Sequence, residues 1–68
     1  MINTAEFRGT MVACGFTQKS LAEYLHMSEN ALSAKIRGVR PFTLGEVRSI
    51  CEAFHLTDPV VVCKIFLP

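Results

Sequence analysis

At 68 residues the chain sits near the smallest size at which an uncrosslinked hydrophobic core holds a fold together, so it reads as one domain spanning 1–68. Half of it is hydrophobic, yet the longest unbroken apolar runs, "MVAC" and "VVVC", have four residues against the ~20 of a bilayer span, and "MINTAEFRGT" lacks the basic and apolar segments of a secretory signal; no membrane contact and a cytoplasmic setting are expected. A net charge of +1 argues against a strong nonspecific binder of polyanions, but residues 1–40 hold five basic side chains against three acidic and residues 41–68 only two against three, which places the basic excess in the first part.

No alternating stretch suggests a sheet, and the expected class is all-α. A first helix is predicted over Thr4–Cys14, where Phe7, Met11 and Cys14 fall on one stripe and Gly15 supplies a left-handed stop. Thr17 caps a second helix with Leu21, Ala22 and Leu25 facing inward. The pattern then breaks at "HMS" without Gly or Pro. Ser28 caps a third helix, Glu29 places negative charge in its first turn, Leu32 and Ile36 face inward, and Gly38 ends it. In "RPFTLGEV", Thr43 and Glu46 form a capping box while Phe42 and Val47 suit a hydrophobic staple, which starts a fourth helix whose inner face is Val47, Ile50, Cys51 and Phe54. "TDP" caps a short fifth helix. The apolar tail 60–68 exceeds what one short helix needs: Ile65, Phe66 and Leu67 either fold back on their own domain or form the contact through which two copies pair.

Two short helices joined by a three- or four-residue turn cross steeply, and a small residue, here Ala22, lets their backbones approach. With Leu21, Leu25, Met27, Leu32 and Ile36 turned inward, the third helix shows Asn30, Ser33, Ala34 and Arg37 outward, with Ser28 and Glu29 at its exposed start. Such a short polar surface suits a major groove: Asn pairs bidentately with adenine, Glu accepts from cytosine N4, and an Ala methyl touches a thymine methyl. Lys19, Lys35, Arg37 and Arg40 surround it as phosphate partners, which position the protein while base contacts select sequence.

The segment "FTQKSLAEYLHMSENALSAKIRG", followed by "PFTLGEVRSICEAFHL", resembles the helix-turn-helix of the lambda-type phage repressor, Cro and XRE family and is similar to small regulators encoded by phages of Gram-positive bacteria. The match runs over roughly residues 5 to 58. The resemblance implies a compact five-helix, lambda-repressor-like domain with the helix-turn-helix in helices 2 and 3, binding double-stranded operator DNA as a homodimer without cofactor or small-molecule ligand. It implies that Gln18 holds a phosphate and braces the recognition helix, and that Ser28, Glu29, Asn30 and Ala34 face bases. The full expectation is Ser28, Glu29, Asn30, Ser33 and Ala34 on bases, and Thr17, Gln18, Lys19, Lys35, Arg37 and Arg40 on phosphates. Two positions depart from the family pattern. His26 stands where Gly is common in the turn, and Lys35 stands where an apolar residue is common, with Ile36 supplying it one position later; the latter implies a rotated or tilted recognition helix.

Other chemistries are weakly signalled. Cys14, Cys51 and Cys63 are odd in number and widely spaced, unlike a disulfide framework or a paired metal motif, and read as reduced thiols in or near the core. Cys51, His55 and Cys63 lack the short-range pairing of zinc ligands, and His26 has no nucleophile or orienting carboxylate placed with it, so neither metal nor enzyme is expected. The rival is a protein-interaction module, antitoxin-like or a phage adaptor, that keeps the helix-turn-helix as a scaffold.

Overall fold

In the computed structural model, which describes residues 2–67, the chain forms α1 (Thr4–Ala13), α2 (Gln18–Tyr24), α3 (Glu29–Ile36), α4 (Leu44–Ala53) and α5 (Pro59–Phe66), with no strand among the described residues. Each helix starts at a side chain that accepts a backbone N–H: Asn3 from Glu6, Thr17 from Ser20, Ser28 from Ala31, Thr43 from Glu46 and Asp58 from Val60. At Thr17 and Thr43 the bond is reciprocal. Ser20 Oγ accepts the Thr17 N–H at 2.9 Å and Glu46 Oε1 accepts the Thr43 N–H at 2.8 Å, so two otherwise orphaned donors are satisfied at once in each box.

The first four helices all end in the same wrap. The residue after the C-cap is left-handed, at Gly15 (φ 82°), His26 (57°), Gly38 (83°) and His55 (55°), and the next N–H reaches back to the carbonyl five residues before it, Phe16 to Met11, Met27 to Ala22, Val39 to Ala34 and Leu56 to Cys51. This is the Schellman pattern. At His26 it explains how "HMS" breaks the helical run without glycine: histidine bears the left-handed strain that glycine avoids.

The core gathers around Phe7, which is fully buried and meets Phe42 (5.8 Å between ring centroids), Phe54 (5.5 Å) and Phe66 (6.3 Å). Leu21, Ala22, Leu32, Ile36, Ile50, Ala53 and Ile65 complete it, with Val47 and Cys51 only partly buried at its edge. Three expectations are corrected here. Cys14 is exposed: it occupies the C-cap of α1, one residue past the last helical position, and its Sγ lies 3.6 Å from the Phe54 carbonyl oxygen rather than in the core. Cys63 is also exposed, leaving Cys51 as the one partly shielded thiol, and burial pushes its pKa up. Ile65 and Phe66 are core residues of their own chain, because α5 continues through Phe66 and the Ile65 carbonyl accepts the Asn3 N–H at 2.7 Å; of the three residues expected to contact a second copy, only Leu67 is exposed.

Candidate nucleic-acid interface

The reading surface is built on the crossing of α2 and α3. Ala22 is almost wholly buried there, and its carbonyl also receives the Met27 N–H, so the small side chain and the turn that follows it are fixed together. Leu21, Leu32 and Ile36 are fully buried, and Leu25 and Met27 pack against the same cluster. This orients α3 with one stripe inward.

On the other side Ser28, Glu29, Asn30 and Arg37 are exposed, while Ser33 and Ala34 are half-buried along the same face. Ser28 Oγ is occupied as the cap, accepting the Ala31 N–H at 3.1 Å; its O–H is not used in that bond. Lys19 lines the same open trough as Ser28, Glu29 and Asn30, with Glu23 also in its wall. The polar face is thus uncovered, but its charge is mixed.

Gln18 links the two helices. Its Nε2 donates to the Glu29 carbonyl at 3.4 Å and its Oε1 accepts from Arg8 Nη1, also at 3.4 Å, which fixes the amide between α1 and the first turn of α3. Arg8 is a cation that sequence reasoning missed, since only the packing of α1 beside α2 brings it to this edge. The Arg37 guanidinium folds back along α3, its Nε donating to the Ser33 carbonyl at 3.3 Å, and Arg40 is exposed in the loop after Gly38. Thr17 is exposed with its Oγ1 accepting the Ser20 N–H at 3.0 Å, which leaves the O–H directed elsewhere.

Lys35 departs from expectation. Its Nζ donates to both carboxylate oxygens of Glu46 at 2.6 Å, and the two side chains are only 14% and 21% exposed, so its charge is spent within the protein rather than offered to a phosphate. Burial alone would raise the Glu46 pKa, but the Lys35 ammonium and the Thr43 N–H outweigh it and hold the carboxyl below the usual glutamate range. Among the described residues no three His, Cys, Asp or Glu side chains are grouped to hold a metal ion, and no helix is long and apolar enough to cross a membrane.

A second concavity of about 500 Å³ lies beside the α3–α4 loop, with Pro41, Phe42, Leu44, Val62, Phe66 and Leu67 in its wall and Lys35 and Arg40 at its edge. Leu44 and Leu67 are 78% and 75% exposed on it.

Residues 9–60 match a family model described as Helix-turn-helix. No curated protein and no solved structure shows a match to the chain.

Proposed function

Because the chain belongs to the Cro/C1-type (XRE) helix-turn-helix family of DNA-binding transcription regulators, we propose that residues 1–68 act as a single repressor- or Cro-like domain that occupies an operator in the cytoplasm by inserting α3 into the major groove. The observation that carries the reading is the open polar start of α3, with Gln18 braced against the Glu29 carbonyl behind it. Asn30, Glu29, Ser28, Ser33 and Ala34 face base edges; Thr17, Gln18, Lys19, Arg37 and Arg40, joined by Arg8, face phosphates. No cofactor, small molecule or covalent step is needed. One such module buries only ~600–1,000 Å² on DNA, which supports a homodimer on half-sites ~34 Å apart. With Ile65 and Phe66 committed to their own core, the pairing surface is the apolar concavity that carries Leu44 and Leu67.

Selection of bound duplexes from a random pool tests this directly. Asn30→Ala is expected to relax base preference by about 1–3 kcal/mol at one position, and Lys19→Ala or Arg40→Ala to weaken all duplexes evenly and lower the salt slope by about 1. The mixed charge of the trough, with Glu23 and Glu29 beside Lys19, favours the protein-interaction reading instead. Absence of duplex binding even at low salt would decide for that rival, because an electrostatic DNA complex is strongest there.

A further inference from the structure

On a helix that turns ~100° per residue, Lys35 falls on the flank of α3, between the buried Leu32–Ile36 stripe and the outward face carrying Asn30 and Ala34. That flank meets the start of α4. The Glu46 carboxylate it finds there is itself fixed: Oε1 accepts the Thr43 N–H at 2.8 Å while the Glu46 N–H donates to Thr43 Oγ1 at 3.1 Å. Farther along α4, Ile50, Ala53 and Phe54 are buried in the core. A largely shielded ion pair loses in desolvation much of what it gains in attraction, so it is a poor device for stability alone, whereas contact with both carboxylate oxygens restricts distance and angle. Buried Leu32 and Ile36 decide which stripe of α3 faces inward, and its other side-chain tethers to neighbouring helices are longer than the Lys35 contact. Gln18 reaches its first turn at 3.4 Å and the Thr4 hydroxyl donates to the Ile36 carbonyl at 3.2 Å. Both of those contacts bind backbone near the helix axis and restrain its roll little, but Lys35 reaches out from the axis and does restrain it.

We propose that Lys35 is a positioning residue for base recognition: through its ion pair with Glu46 it sets the roll of α3 against α4, and so aims Asn30 and Ala34, without touching nucleic acid itself. This rests on the reading of α3 as a major-groove helix.

The test uses the full chain and the sequence it enriches from a random duplex pool, with affinities measured for that duplex and for an unrelated one across a salt series. Lys35→Met is expected to cut the ratio of the two affinities about tenfold, the loss of one well-aligned base contact, while the salt slope stays at the unmodified value. Lys35→Arg, whose guanidinium also meets both carboxylate oxygens, restores the ratio. Glu46→Gln keeps an amide oxygen for the Thr43 N–H but removes the charge, and reproduces the fall even where Lys35→Met folds poorly. A salt slope lowered by about 1 with an unchanged ratio would make Lys35 a phosphate ligand and overturn the proposal. An unchanged ratio with a lower urea midpoint in both Lys35→Met and Glu46→Gln would reduce the pair to a structural contact and overturn it too. Failure of the unmodified protein to enrich any sequence removes the major-groove reading, and the proposal with it, whereas an unmodified protein that enriches a sequence and variants that keep its affinity ratio remove only the proposal.

Discussion

The half of the molecule formed by α1, α4 and α5 and the half formed by α2 and α3 are packed on different principles. The first is aromatic: Phe7 touches Phe42, Phe54 and Phe66, and Phe42 and Phe66 meet edge to face at 6.1 Å. The second is aliphatic and close, with Leu21, Ala22, Leu32 and Ile36 at its centre. Large rings bury the area on which so small a fold depends, but they hold backbones apart. A helix that must stand proud of the protein while crossing its neighbour at short range needs small side chains beneath it. Stability and recognition are therefore lodged in different places, and substitutions should separate them.

The largest effect is expected at the aromatic centre. Phe7→Ala should cost about 3–5 kcal/mol, a large part of the stability of a domain this size, and urea titration followed by circular dichroism would read it as a collapse of the transition. Loss of only ~1 kcal/mol would mean that the surrounding rings close over the vacancy and that the aromatic half is not the anchor. Ala22→Leu comes next. Overpacking the crossing should cost about 1–3 kcal/mol, and duplex affinity, compared at equal folded fraction, should fall by more than Phe7-side substitutions cause. Equal losses on both sides would erase the division. His26→Gly and His55→Gly should each gain up to about 1 kcal/mol by relieving left-handed strain, measured as a rise in thermal midpoint; a loss at either site would show that the imidazole makes contacts worth more than the strain.

The smallest effect concerns pH. Glu46 has a folded pKa below its unfolded value, so its contribution is fully present above the ordinary glutamate range and is lost as acid carries the pH down through the folded value. The urea midpoint should fall through that acid window, and Glu46→Gln should flatten the fall. A slope that survives Glu46→Gln would assign it to other carboxylates.

What the sequence disclosed was local. The caps at Thr17, Ser28, Thr43 and Asp58 and the stops at Gly15 and Gly38 act on backbone groups within a few residues, so they and the apolar spacing located all five helices, although the Asn3 cap of α1 was not among them. The outward face of α3 was legible for the same reason, since helical periodicity determines it once Leu32 and Ile36 are inward. Contacts across the fold were not. Nothing near Lys35 in the chain announces Glu46 eleven positions away, and a lysine on a helix flank reads as solvated until α4 is placed beside it. Arg8 reaches Gln18 only through the docking of α1. The tail stayed undecided because an apolar run has the same composition whether it covers its own core or a partner's; burial settles Ile65 and Phe66 on their own core, where the Ile65 carbonyl also takes the Asn3 N–H, a bond between the two ends of the described chain.

The three thiols acquire a use from where they lie. Cys14 and Cys63 stand open to solvent while Cys51 is partly shielded and burial pushes its pKa above that of an ordinary thiol, so a reagent that reacts with thiolates should label the first two quickly and the third more slowly. The unaltered protein thereby carries two fast internal references against which any change in the shielding of α4, the helix to which the recognition element is tied, can be timed.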